Sequence, residues 1–342
     1  MELLGPHELA YVFANLTDLA DMARVRAVCR EWRELVNPPR INGVPIADVL
    51  RLAPNEILEV ACRTGSLNPA NSLDLAKYAV SRGATNFNGG LYGACLSGDK
   101  ELVEFMIDRG ATNFDRGLYG ACLSGDKELV ELMIRHGATE FDDGLYGACK
   151  GGHIEIAELM IARGAKDFTN GLYSACCEGH IELVRLMVNR GANKFDWGLY
   201  MACREGHKEI AEFMISRGAT NFDWGLGTAC YGGHKEIAEL MIRHGATSFN
   251  GGLYYACESG CIEMINFIIN HGANDFDGAF SIACEGDNIE IVELMIHHGA
   301  TNFDRGLQVA CERGRTEIAK LLGNRVPTDV CSHCHKLGAE HV

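Results

Sequence analysis

The sequence predicts an all-α solenoid, a line of short helical hairpins stacked on one another. Three observations carry that prediction. The phrase Gly-Leu-Tyr-x-Ala-Cys recurs every 27 residues, putting its cysteine at Cys95, Cys122, Cys149, Cys176, Cys203, Cys230, Cys257, Cys284 and Cys311. A Gly-Ala pair keeps the same step from Gly110 to Gly299. Within each unit the apolar residues fall at helical spacing, interrupted by glycines. A fixed period of about 20–50 residues is the signature of a stacked array, because one such unit cannot bury its apolar face alone.

In chain order, residues 4–35 carry Val12, Phe13, Leu16, Leu19, Met22, Val25, Val28, Cys29, Trp32 and Leu35 at helical spacing. This fits about three short helices, with Pro6 suited to a first turn. A segment of roughly 35 residues is too small to stand on its own core, so it must lean on something else. Pro38, Pro39 and Pro45 then predict a stiff connector over residues 37–53. The array is expected over residues 54–325, in about ten repeats. Its first repeat matches the register at Cys62 and Gly83, but residues 65–72 read as a loop insertion containing Pro69, followed by a helix from Leu73 to Ser81. A modified end repeat suits a cap.

Residues 90–116 serve as the type unit. Gly90 opens it, and Leu91, Ala94 and Cys95 fall on one helical face. Gly98 ends this first helix. A second helix starts near Lys100 and buries Leu102, Phe105 and Met106, with Val103 and Ile107 beside them. Glu101 complements the positive end of the helix dipole and Arg109 the negative end. Gly110 supplies a left-handed stop, and residues 112–116 form a connector carrying Phe114, which recurs in every unit as a packing residue.

Composition narrows the function. Apolar residues make up 47% and charged residues 23%, as in folded globular chains, and no apolar run is long enough to span a bilayer. No secretory signal is expected. The formal charge of −15 disfavours a phosphate-backbone ligand. Although there are fifteen cysteines, those at one register sit one repeat apart. Stacked helices are about 8–10 Å apart and a disulfide needs Cα atoms within about 7 Å, so these cysteines are expected as small apolar fillers in a reducing compartment.

The repeat resembles the ankyrin repeat, over roughly residues 54–325. Leu91, Ala94 and Cys95 take the Leu, Ala and second Ala places of that pattern, and Tyr92 takes its His place. The Gly-His turn stands at Gly152-His153, Gly179-His180, Gly206-His207 and Gly233-His234; Gly98-Asp99 and Gly125-Asp126 vary it, and Asp287 replaces the turn glycine once. Ankyrin repeats run about 33 residues. The shorter unit here implies that the β-hairpin finger of the family is trimmed to a tight loop.

Residues 1–36 resemble the F-box. The matching residues are Pro6, Glu8, Leu9, Val12, Phe13, Leu16, Asp21, Met22, Val28, Cys29 and Trp32, closed by Glu31, Arg33, Glu34 and Leu35. The resemblance implies a Skp-type adaptor as partner, docked on Pro6, Leu9, Val12, Phe13, Leu16, Val28, Cys29 and Trp32 and linking the chain to a cullin ubiquitin ligase. The alternative is a three-helix cap on the stack. An F-box before finger-trimmed ankyrin repeats is similar to proteins of giant DNA viruses of amoebae, which would place the chain in host cytoplasm. The resemblances imply a non-enzymatic substrate receptor with no cofactor, or else a plain ankyrin scaffold or inhibitor.

Positions that vary between repeats are the candidates for target binding. In the middle units these hold Trp197, Met201, Arg204, Trp224, Tyr231 and Tyr255, residue types common at binding hot spots. The alternative is that Trp197 and Trp224 fold back to fill the space left by the finger. The histidine column His153, His180, His207 and His234 is spaced one per repeat, too far apart to share a metal, and is expected to bond nearby backbone. Residues 326–342 read as a flexible tail in which Cys331, Cys334 and His335 follow the order Cys-x-x-Cys-His, a haem-attachment pattern or, with His333 or His341, a zinc half-site. No resident metal is expected. No phosphate loop or nucleophile motif is present.

Overall fold

A computed structural model describes residues 40–41, 44–45, 52–63, 69–323 and 325. The expected head at 1–36, most of the connector and the Cys331/Cys334/His335 tail lie outside them. Among the described residues there are twenty helices and one two-stranded ladder. The ladder pairs β1 (Arg40–Ile41) with β2 (Val44–Pro45), antiparallel, Arg40 opposite Pro45 and Ile41 opposite Val44. It adds a local antiparallel pairing within the stretch read from the sequence as a stiff connector. Asn42-Gly43 between the strands is a strong two-residue hairpin signal that the reading passed over.

The helices come in pairs. The first pair is α1 (Pro54–Arg63) and α2 (Pro69–Ser81). Pro69 opens α2 instead of lying in a loop, because its missing N–H and fixed φ suit a first helical position. Next come α3 (Phe87–Ser97) with α4 (Lys100–Asp108), α5 (Phe114–Ser124) with α6 (Lys127–Arg135), α7 (Phe141–Gly151) with α8 (Ile154–Ala162), and α9 (Phe168–Glu178) with α10 (Ile181–Asn189). The later pairs are α11 (Phe195–Glu205) with α12 (Lys208–Ser216), α13 (Phe222–Gly232) with α14 (Lys235–Arg243) and α15 (Phe249–Ser259) with α16 (Ile262–Asn270). The last are α17 (Phe276–Glu285) with α18 (Ile289–His297), and α19 (Phe303–Glu312) with α20 (Thr316–Gly323). The described residues divide into two compact units, one reaching Ala175 and including Arg185–Gly191, the other holding Cys176–Val184 and the residues from Ala192 on.

Within each unit the first helices of neighbouring hairpins pack closely and the second helices stand farther apart. The core is the apolar set read from the sequence: Leu91, Ala94, Cys95, Leu102, Val103 and Met106 are all fully buried. Phe105 and Ile107, expected beside them, are half-exposed. The repeat cysteine meets the next hairpin's methionine, with Cys95 Sγ 3.8 Å from Met133 Sδ and Cys203 Sγ 3.8 Å from Met241 Sδ. Close approach depends on small residues. A Cβ added at Gly120 would sit 2.9 Å from the Tyr92 carbonyl oxygen of the preceding first helix.

First helices begin three residues before the expected Gly90-type position, so Phe114 opens α5 and is not a connector residue. It stacks on His136, which ends the second helix, with ring centroids 5.0 Å apart. The connectors carry no projecting hairpin. Residues 109–113 turn back at once through Gly110, at φ 96°, with Ala111 N donating to Met106 O at 3.0 Å. The lost finger is replaced by a side-chain staple from the preceding first helix. Asp115 Oδ1 accepts from the N–H groups of Thr139 and Glu140 at 2.6 and 3.0 Å. Asn88, Asp142, Asp196, Asp223, Asn250 and Asp277 repeat the arrangement. No helix among the described residues is long and apolar enough to cross a membrane.

Candidate functional site

In the second unit, α11 and α13 present matching stripes. Trp197, Tyr200 and Arg204 fall at i, i+3 and i+7 on α11; Trp224, Gly227 and Tyr231 fall at the same places on α13. Both tryptophans lie in the first turn of their helices and both i+7 residues in the last, about 10 Å away along the axis.

The two tryptophans meet edge to face, with centroids 5.1 Å apart at 79°. Trp224 also lies 4.3 Å from Tyr200, which stands 6.0 Å from Trp197. Trp224 is half-buried by these contacts, whereas Trp197 remains 52% exposed. The two readings of the pair therefore divide between them: Trp224 fills space and Trp197 faces outward. At the other end, the Arg204 guanidinium stands 5.8 Å from the centroid of the exposed Tyr231 ring. Tyr255 of α15 lies over Gly227, where a Cβ would come within 2.7 Å of the ring.

Met201 does not join this surface. It is 3% exposed, because the position four residues after Trp197 turns into the helix–helix contact. Thr228, its counterpart on α13, is likewise buried and turns its hydroxyl onto the Trp224 and Gly225 carbonyls. Tyr200 belongs to the surface and the sequence reading missed it, because the tyrosine recurs in most repeats and so looked like framework. Its place three residues after Trp197 was the available signal.

The first unit carries the same stripe without tryptophan. Tyr92, Tyr119 and Tyr146 stack in succession at 6.1 and 6.2 Å, and Arg116 sits 4.9 Å over the Tyr92 ring. The residue in the first turn of one repeat thus covers the tyrosine of the repeat before it, as Trp224 covers Tyr200.

Two rings of the histidine column, those of His207 and His234, bond backbone carbonyls. His207 Nε2 bonds the Cys177 carbonyl at 3.0 Å and His234 Nε2 the Arg204 carbonyl at 3.1 Å; since a carbonyl only accepts, Nε2 carries the hydrogen. Among the described residues no group of three or more His, Cys, Asp or Glu could hold a metal ion. Burial pushes the Cys95 and Cys203 thiols up to about 12, so these cysteines stay neutral. Cys311 corrects the expectation of thiols throughout: it is disulfide-bonded. The argument from repeat spacing ruled out only bonds between equivalent cysteines, and its partner lies outside the described residues.

A family model for ankyrin repeats, in three copies, matches residues 118–196, 145–223, 199–277 and 253–332. The chain belongs to the ankyrin-repeat family. No curated protein matches the sequence. Ankyrin repeats are protein-interaction modules, and the ankyrin framework places Trp197, Tyr200 and Arg204 on the exposed side of a first helix, with structural residues beneath them.

Proposed function

We propose that the chain is a protein-binding adaptor whose repeats capture a target protein on the face around Trp197, Tyr200, Arg204, Trp224, Tyr231 and Tyr255. The observation that carries this reading is Trp197: a tryptophan 52% exposed, propped against Trp224 and Tyr200, is a large rigid contact held ready at little entropic cost. Tyr231 and Tyr255, 38% and 36% exposed, extend the apolar area, and Arg204 adds a charge-bearing donor.

The F-box-like segment 1–36, followed by the connector at 37–53 and the repeats over 54–325, supports a finer reading. In it Pro6, Leu9, Val12, Phe13, Leu16, Val28, Cys29 and Trp32 dock a Skp-type adaptor, and the repeats hold a substrate for a cullin ubiquitin ligase. The chain would make no bond itself; it would raise the effective concentration of target near ligase. Its likeness to giant-virus proteins puts that work in host cytoplasm.

Binding of purified full-length protein to a purified Skp-type adaptor tests the finer reading. Tight binding lost in Leu9→Ala/Trp32→Ala is expected; no binding leaves a plain scaffold. For the target face, Trp197→Ala is expected to weaken target capture about thirty-fold, near 2 kcal/mol, with the thermal midpoint unchanged. Unchanged capture would remove this face from the reading.

A further inference from the structure

The last hairpin leaves a face open. Inside the stack the repeat cysteine is covered by the next hairpin: Cys95 Sγ lies 3.8 Å from Met133 Sδ, and Cys203 Sγ 3.8 Å from Met241 Sδ. The second helix adds Val103, Ala211 and Val292 to that face, all fully buried. In the last pair both places open. Cys311 and Ala319 are only half-buried, whereas Cys284 and Val292, their counterparts one repeat earlier, are 0% exposed. The repeat register also lapses beyond α20, since Val330 and His333 stand where phenylalanine and glycine recur. The last repeat of a stack needs a cover that a further hairpin no longer supplies.

Cys311 is also the odd sulfur of its column. It is disulfide-bonded, while the eleven other described cysteines are free thiols. The cysteines left to pair with it are Cys29, Cys331 and Cys334. The path of the chain favours the last two. After α20 the Arg325 N–H donates to the Leu322 carbonyl at 2.8 Å, and the Arg325 guanidinium stands 5.9 Å from the centroid of the Phe303 ring, at the start of α19. Cys311 follows that helix's last turn, about 12 Å from Phe303 along the axis. Cys331 and Cys334 come six and nine residues after Arg325, enough chain to span about 20 and 30 Å. Cys29 precedes the whole array.

We propose that residues 326–342 are a redox-released cover for the open face of the last hairpin, latched by a disulfide between Cys311 and one cysteine of the Cys331-x-x-Cys334 pair. The latch stands where the next hairpin's methionine meets the cysteine inside the stack. Half-burial of Cys311 leaves the bond within reach of a small thiol, whereas the buried cysteines of the same column stay inert. Release is a two-electron reduction. Two molecules of a small thiol form a disulfide with each other, the bond to Cys311 breaks, and Cys311 and its tail partner each end as a thiol. A tail sulfur used this way is lost to the haem-attachment and zinc half-site orders. The cover needs neither the tryptophan face nor the F-box reading.

The test begins with full-length protein purified without reductant, alkylated and digested with trypsin. Mass spectrometry is expected to find peptide 306–313 joined to peptide 326–336, and the two separated by dithiothreitol. Amide hydrogen exchange then reads the cover. Dithiothreitol should speed exchange in α19 and α20 about ten-fold, with α11 to α14 unchanged. Cys311→Ala should exchange fast without reductant and gain nothing from it. Cys331→Ser/Cys334→Ser, which leaves α19 untouched, should behave the same way. A Cys311 peptide that is free or joined to the Cys29 peptide, or exchange in α19 and α20 that reduction does not change, would overturn the proposal.

Discussion

Tyr255 lies across Gly227 of the preceding repeat, reversing the arrangement found elsewhere, in which Gly120 sits beneath Tyr92 and Gly147 beneath Tyr119. In the usual pairing the earlier helix supplies the tyrosine and the later one the glycine. Here the two residue types have exchanged helices, and the ring still covers the seam. At these three seams a ring covers a glycine, whichever helix supplies it.

That relation predicts a coupled pair. Gly227→Tyr alone drives a second ring into Tyr255 and should cost about 1–3 kcal/mol; Tyr255→Gly alone uncovers the seam and should cost a similar amount. The double exchange rebuilds the standard pairing and should recover about 1–3 kcal/mol of that sum. Urea denaturation of the four proteins measures it, and strict additivity would refute it.

The staple from each first helix to the next connector predicts a chemical preference. Asp223→Ala leaves the Thr247 and Ser248 N–H groups without their acceptor at 2.6 and 2.8 Å. A loss of about 0.5–1.5 kcal/mol is expected, because the freed N–H groups are exposed to water. Asp223→Asn should cost far less, since Asn88 and Asn250 already act this way. Equal losses for the two variants would show that charge, not the acceptor oxygen, matters.

Asp277 ties the same staple to pH. The Thr301 and Asn302 N–H groups hold its carboxyl below the usual range, so folding favours the charged form. Its contribution is complete above the unfolded carboxylate pKa and fades as pH falls through the lower folded value. Wild type should therefore lose more stability than Asp277→Asn between pH 5 and pH 3, on the order of pH values where carboxylates titrate. Identical acid profiles for the two would contradict the assignment.

Buried thiols give the opposite slope. Cys62, Cys95, Cys203 and Cys230 are each pushed up to about 12 by burial. Above pH of about 9 the unfolded thiols ionise while the folded ones remain protonated, so the unfolded state binds fewer protons and stability falls as pH rises. Each such cysteine removed should flatten the fall of the thermal midpoint above pH 9, the ordinary thiol value. Under native conditions at pH 8, a thiol reagent should modify half-buried Cys177 and Cys261 before any of these.

The histidine column predicts a third kind of loss. His234→Ala removes the donor to the Arg204 carbonyl and should cost about 1 kcal/mol. His234→Asp should cost less, because Asp126 at the equivalent place caps its helix by accepting from Leu129 N at 3.0 Å. Thermal melts of both variants decide it.

The sequence by itself determined the hairpin, its period and its core. Leu91, Ala94, Cys95, Leu102 and Met106 declared themselves because burial needs apolar residues at helical spacing, and Gly110 because a left-handed stop needs glycine. Tertiary structure alone decided what crosses from one repeat to the next. Asp115 carried no signal until the fold brought Thr139 and Glu140 to it; Met201 looked like a surface residue until the neighbouring helix covered it; Tyr200 looked like framework until Trp224 came to lie on it. Spacing along a chain fixes which face a side chain occupies, but the partner on that face stands a repeat away, and its distance is set by packing between helices.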